Sequence, residues 1–414
     1  MTSGLSISAR LENIRPVSRR PPPAAATIGP NRTPPRRQAM HEAPASIASA
    51  STESGSIESG SITLGMDGDD LGSFSLEEEN LGFRLAFEDE RDARGRPRVR
   101  FIRYPRGERK TDEAVMENVR RLVEHDQVLG LVNWGGPLSM WVARYAQASR
   151  VAHLFPHTAL IDSTGQRYLF TSFPRYESEV GVMMRHLVQA RGMKRIGVIH
   201  DPNPYGQVFL THIHRHGADL GYTVAGAASV DSRNPSDLQP LLAGLLAEQP
   251  DVVFMALYPA QAQAVMRAKS ALGWRGRMVC AGPLTDEQYL NMPDDSAEGT
   301  LGFCYYPDPE RSDEPGVVAY RARMQRHHPG RPLNRYSLYG HAFGRLILAG
   351  LDRAGPSPTR ESLIDGLESL RDWDCGGVMP PVSFSPDNHH AQRAGFIGEL
   401  RQRRIEPLTP WIEP

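Results

Sequence analysis

The sequence predicts an α/β protein of two doubly wound parallel-sheet lobes, and three observations predict it. From Ser61 to Ala281, short apolar runs of strand length alternate with longer runs of 3.6-residue apolar spacing. That order makes parallel sheets with right-handed crossovers. The segment Lys194–Gly206, KRIGVIHDPNPYG, carries an apolar strand into an Asp, a Pro/Asn turn and a Tyr-Gly pair that opens a helix. PDVVFMALYP, over Pro250–Pro259, repeats the phrase and again ends on a Tyr. Ligands of open α/β sheets sit beyond the carboxyl ends of the strands, so Tyr205 and Tyr258 point to one small-molecule cleft.

Each element has its own signal. Strands are predicted at Ser61–Met66, Arg98–Tyr104, Val128–Val132, Val151–Phe155, Arg195–His200, Thr223–Val230, Val252–Leu257 and Arg277–Ala281. Helices are predicted between them at Leu76–Ala93, Asp112–Asp126, Leu138–Ser149, Glu177–Gly192, Gly206–Leu220, Pro235–Glu248 and Ala260–Leu272. Thr111 is placed to cap the helix at Asp112, and Gly192, Gly221 and Gly273 mark helix ends. The rhythm breaks at a short strand near Leu169–Arg175 and again at Gly302–Pro309. Helices then dominate (Val317–His328, Asn334–Ala354, Thr359–Leu370), and the tail turns β-like at Val382–Phe384 and Phe396–Leu400. The two breaks and the late return predict a chain that crosses between two lobes three times, a hinge around an enclosed ligand.

Composition bounds the function. The 414 residues are 40% hydrophobic and 23% charged, enough for two full cores. A net charge of −1 points away from nucleic acid. Cys280, Cys304 and Cys375 are too scattered for a zinc site, and any one pair leaves an odd thiol. No metal or cofactor is expected. No run of about 18 apolar residues marks a transmembrane helix. Residues 1–60 are Arg/Pro-rich, then Ser/Ala-rich, and read as a disordered lead without the apolar core of roughly 7–15 residues that a secretory signal needs.

With these pieces placed, the chain resembles the solute-binding proteins of branched-chain amino-acid-type ABC importers, the Leu/Ile/Val-binding family. SITLGMDGD looks like the opening strand and turn, and TDEAVMENVRRLVEHDQVLGLVNWGG like the family's helix, strand and glycine-rich loop. LFPHTA, RYLFTSFPRYESEVGVMMRHLVQARGMKRIGVIHDPNPYGQ and PDVVFMALYPAQAQAVMRAKSALGWRGRMVCAGPLT follow in the family's order, and CGGVMPPVSFSPDNHH resembles its closing hairpin. The resemblance covers about residues 61–410 and implies the type I periplasmic binding protein fold. It implies an N-lobe at 61–173 and 303–372 and a C-lobe at 174–302 and 373–414. It further implies a periplasmic protein that delivers a small organic solute to the permease and ATPase subunits of an importer and catalyses nothing.

The resemblance also nominates site residues. In amino-acid-binding relatives the loop after the third strand offers hydroxyls and N–H groups to the ligand carboxylate; here it holds Trp134, Gly135, Gly136 and Ser139, without the serine cluster. His157 and Thr158 follow the next strand, His157 where the family has small residues. Tyr205 and Tyr258 match cleft tyrosines, Tyr176 opens the helix after the first crossing, and Phe74 is placed either to cover the ligand or to staple a helix. Leu284 stands where amino-acid-binding relatives place an acid for the ligand ammonium. A buried ammonium without a counter-charge costs several kcal/mol, so a non-amino carboxylate or an amide is expected ahead of an amino acid. Asp286 and Glu287 are expected in a helix first turn instead. Two rivals stand beside the importer component. One is a cytoplasmic ligand sensor of the same fold, favoured by the missing export signal unless the start codon is misassigned. The other is an enzyme, opposed by the absence of GxGxxG, P-loop, GxSxG and HExxH patterns, with Asp201 read as a turn former.

Overall fold

The computed structural model describes residues 62–68, 71, 73–106, 111–231 and 238–414. The lead over 1–60 and the predicted start of the helix at 235 lie outside them. Two mainly parallel sheets organise the rest. The first contains β1 (Ile62–Asp67), β2 (Val99–Tyr104), β3 (Gly130–Val132), β4 (Ala152–Leu154) and β5 (Leu169–Phe170), ordered β2-β1-β3-β4-β5 with every pair parallel. The second contains β6 (Arg195–His200), β7 (Thr223–Ser229), β8 (Val252–Ala256), β9 (Arg277–Cys280), β10 (Leu301–Cys304), β11 (Phe396–Arg401) and β12 (Arg404–Pro407), ordered β12-β11-β10-β9-β8-β6-β7. Its last two strands are an antiparallel hairpin on the edge.

The parallel parts share one winding: the first strand of each lies between its second and third. Strand order therefore reverses at β1/β3 in one sheet and at β6/β8 in the other, and a ligand crevice opens at each reversal. The loops after β3, β6 and β8 carry the residues singled out in the sequence.

The helices are α1 (Phe74–Leu85), α2 (Asp112–Arg120), α3 (Leu138–Ala148), α4 (Tyr176–Arg185), α5 (Pro204–Leu220), α6 (Leu238–Ala247), α7 (Pro259–Ala271), α8 (Glu287–Leu290), α9 (Pro315–His327), α10 (Arg335–Ala354) and α11 (Arg360–Glu368). Thr111 caps α2 as expected, its hydroxyl accepting the Ala114 N–H at 3.3 Å. Both α2 and α4 continue into a π-helical turn, Arg121–His125 and His186–Ala190, which completes the predicted lengths.

The prediction for the first helix ran too far. Ala86 and Phe87 are buried and sustain the apolar spacing, yet α1 stops at Leu85. The Asp92 carboxylate accepts the Arg94 and Arg96 N–H groups, both at 2.9 Å, and closes a turn there. CGGVMPPVSFSPDNHH forms turns and isolated bridges, Trp373 to Val382 and Ser385 to Asn388, rather than a hairpin. The closing hairpin is β11–β12.

Helix α10 packs along α1, beside the first sheet, although it follows β10 of the second. The chain thus passes between the two sheets three times, and the crossings touch. Thr171 N–H donates to His389 O at 3.0 Å, Ala391 N–H to Thr171 O at 2.9 Å and Gln392 N–H to Ser172 O at 3.2 Å. The Gln392 amide reaches the third crossing, donating to Tyr305 O at 2.6 Å. Cys280 and Cys304 are buried and free. Among the described residues no helix is long and apolar enough to cross a membrane.

Candidate ligand-binding site

The crevices of the two sheets meet in a cavity of about 180 Å³. On the side of the first sheet it is lined by Ser73, Ser75 and Leu76 at the start of α1, by Gly135 and Gly136, and by His157, Thr158 and Leu160. On the other side stand Tyr176, Tyr205, Leu257, Tyr258 and Pro259, with Pro283 and Leu284 after β9. Eight of the eleven residues nominated from the sequence are therefore brought together; Trp134, Ser139 and Phe74 are not among them.

The second-sheet wall is aromatic. Tyr205 meets Tyr176 edge-on and Tyr258 at a tilt, each with ring centres 5.4 Å apart, and Phe209 backs Tyr176 at 4.9 Å. Asn203 caps α5 by accepting the Tyr205 and Gly206 N–H groups, which fixes the direction in which Tyr205 leaves the helix. Asp201 is the turn former expected of it, accepting the Asn203 N–H at 3.0 Å and the Gln261 amide at 3.0 Å. The Tyr258 hydroxyl accepts from the Asn203 amide at 2.9 Å. The Tyr205 hydroxyl is buried without a partner among the described residues, and burial pushes its ionisation far above the ordinary phenol range. It remains a neutral hydrogen-bonding group for whatever fills the cavity.

The loop after β3 explains the misplaced residues. Asn133 and Trp134 adopt left-handed conformations with φ of 67° and 99°, and this turn drives the indole away from the cavity. Trp134 packs into the core between α2 and α3, 1% exposed and edge-on to His153. Gly135 then passes so close to Leu76 that an added Cβ would lie 2.5 Å from its Cδ2. Two of the donors expected to hold an anion are occupied: the Gly136 N–H donates to His157 O at 3.3 Å and the Ser139 hydroxyl to Gly136 O at 2.5 Å. Phe74 lies beside the cavity instead, its ring meeting Tyr289 and Tyr336 edge-on. It neither lines the cavity nor occupies the position preceding a helix cap that a staple requires.

His157 is the one imidazole among the described lining residues of the cavity. Its Nδ1 is in direct contact with the carboxylate of Glu79, which is fully buried on α1. The other Glu79 oxygen accepts from the Asn133 amide at 3.2 Å. Burial raises the Glu79 carboxyl above its ordinary range, against the opposing pull of His157 and Asn133. No acidic side chain among the described residues lines the cavity. Leu284 is 1% exposed and contributes an apolar surface where an acid would have to stand.

Asp286 and Glu287 face the other way. Asp286 caps α8, accepting the Gln288 N–H at 2.9 Å and the Arg335 N–H at 3.0 Å. Glu287 holds the Arg335 guanidinium through both oxygens, at 2.7 and 3.1 Å. Beneath the Pro283–Leu284 turn lies Glu179, which accepts the Gly282 N–H at 2.7 Å and the Tyr305 hydroxyl at 2.5 Å. Burial pushes its carboxyl up to about 8. The Tyr336 hydroxyl of α10 donates to Pro283 O at 2.5 Å, tying that helix to the loop after β9.

Sequence reasoning missed Glu79, Glu179, Arg335 and Tyr336. A signal for Glu79 existed: Glu77-Glu78-Glu79-Asn80 are consecutive helical residues, and four positions sweep about 300° of a helix, so one must face inward.

Two doubly wound sheets meeting at a cavity lined from both sides define a bilobal ligand-binding protein. The chain belongs to the periplasmic binding protein family, whose model matches residues 61–404. Among solved structures it is similar to a branched-chain amino acid ABC transporter protein from Thermus thermophilus with bound valine, at 16% identity and a TM-score of 0.74, covering 86% of this chain and 97% of that one. It is similar to a fatty acid ABC transporter substrate-binding protein from Thermomonospora curvata at 17% identity and a TM-score of 0.74, covering 86% and 93%. A possible leucine/isoleucine/valine-binding protein from Rhodopirellula baltica aligns at 20% identity with a TM-score of 0.72, covering 86% and 98%. No curated protein matches the chain.

Proposed function

We propose that this chain is the solute-binding component of an ABC importer, working in the periplasm and handing a small apolar solute without an ammonium group to a membrane permease. One observation carries the choice of solute: Leu284 lies buried in the cavity wall, and among the described lining residues no acid offers a counter-charge. The tyrosine wall supports an aliphatic or aromatic body, and His157, Thr158 and the free Tyr205 hydroxyl support a carboxylate or amide head. The named similarities extend from a valine complex to a fatty-acid carrier, so the architecture accommodates both kinds of solute. In this reading the lobes are 61–173 with 303–372 and 174–302 with 373–414. Ligand contacts with both lobes are complete only on closure, so ligand shifts the population toward the closed form.

A thermal-shift panel tests the reading. Four-carbon to nine-carbon aliphatic and aryl-substituted acids and their amides should raise the melting temperature, whereas leucine and valine should leave it unchanged. Strong stabilisation by leucine or valine alone would discard it. Within the same reading, Tyr205→Ala should weaken binding of the best acid or amide by about 1–3 kcal/mol, because the ring covers the ligand. Titration calorimetry of the variant checks this, and an unchanged affinity removes Tyr205 from the site.

A further inference from the structure

We propose that the His157–Glu79 pair is the receptor for a ligand carboxylate and that binding draws one proton from solvent; this rests on the reading of the ligand as an apolar acid or amide, and chooses the acid. The geometry is a relay of two groups. His157 lines the cavity, and its Nδ1 is in contact with Glu79, which has no exposure at all. With Nδ1 turned to Glu79, Nε2 is the ring nitrogen left to meet a ligand. A nitrogen and a carboxylate oxygen in contact need a proton between them, so a donor at Nε2 requires a second proton on the pair, whether the first rests on Nδ1 or on Glu79.

Among the described residues, Glu79 faces a group of tyrosines. Tyr289 of α8, Tyr306 after β10, and Tyr336 and Tyr339 of α10 are the groups that interact electrostatically with Glu79 from the elements packed on it. Burial raises the ionisation of all four, so they stay neutral. His153 of β4, which reaches Asn133 O through Nε2 at 2.7 Å, is held neutral by burial, which pulls it down to about 4.

A carboxylate arriving at Nε2 therefore creates a row of two carboxylates flanking one imidazole in a dry site. Two carboxylates sharing one cation hold a proton more tightly than either alone. With one proton on the free pair and none on the ligand, a complex that holds two takes the second from solvent. Since the complex binds more protons than the separated partners, acid affinity falls as pH rises, toward a limit of about tenfold per pH unit. An amide brings no charge and follows neither rule. Glu79 acts here as a positioning residue and His157 as the ligand contact.

The experiment is calorimetry on the full chain with 4-methylpentanoate, phenylacetate and the two corresponding amides, in phosphate and in Tris. The acids should bind with enthalpies that differ between the buffers by the heat of ionising up to one proton, and less tightly at higher pH. The amides should give one enthalpy in both buffers. His157→Gln should lose at least about tenfold more affinity for the acids than for the amides, and an unchanged cooperative melting transition reports that the variant is folded. Acid binding that is independent of buffer and pH in the unaltered chain overturns the inference and leaves the proposed function standing. So does binding of the amides alone. Equal loss of acids and amides in His157→Gln also overturns it. If neither class binds, or if leucine binds in their place, the proposed function fails and the inference with it.

Discussion

Replacing Arg335 with Met is expected to destabilise the protein by about 3–5 kcal/mol, the largest effect of any single side chain considered. Arg335 is 3% exposed at the first turn of α10. It is held bidentately by Glu287, and its guanidinium also donates to Tyr306 O. Asp286, 1% exposed, sits against its backbone N–H, so the variant would leave two neighbouring carboxylates without the guanidinium that joins them. Burial already lifts Asp286 to about 6 with the guanidinium present, while Glu287 is held down by Arg335 despite its own burial. Removing the cation raises both. In the variant the folded state then binds more protons than the unfolded chain above the ordinary carboxylate range. The lost stability should therefore return progressively as pH is lowered from about 8 to 5. Urea titrations at several pH values check the sign. A deficit that is small, or that does not shrink in acid, would show that the cluster is not a buried charge network.

Gly340→Ala should cost about 1–3 kcal/mol and weaken ligand binding at the same time. A Cβ at residue 340 would stand 2.1 Å from the carbonyl oxygen of Glu79, and one at Gly82 would stand 2.1 Å from Ser337 O. The two helices meet backbone to backbone, so neither can yield by turning a side chain. Relief must come from moving α1, and α1 carries Glu79, Leu76 and the serines of the cavity wall. A conventional core overpacking would lower stability alone. Here denaturation and calorimetry should both change, and an unaltered ligand affinity would show that α1 shifts without disturbing His157.

Most of the fold was legible because its signals are local. The apolar run of β6, residues 196–199, and the whole of β8 each lie between a polar lead and a turn, and the tyrosines at their exits share a cavity. What failed depends on contacts between distant residues. Apolar spacing carried the first helix past Leu85 because Ala86 and Phe87 are buried by tertiary packing after the chain has turned. Trp134 was misplaced because its direction is set by a φ of 99°, which no pattern in the sequence announces. Glu79 was passed over as one member of an acidic run, although its partner His157 had been singled out from 78 residues away. Arg335 and Glu287 belong to elements that meet only after the chain has changed sheets.

The side-by-side crossings have a mechanical meaning. Thr171, Ala391 and Gln392 stitch neighbouring passes of the chain together with three backbone bonds, as a ribbon is stitched along its length. Sliding one lobe past the other would break all three, at about 1 kcal/mol each. Flexing the ribbon across its width leaves their lengths unchanged. Any swing of the lobes would thereby reduce to one angle, as a door's does by its pin, and the distance between two points on opposite rims would become a gauge of that angle.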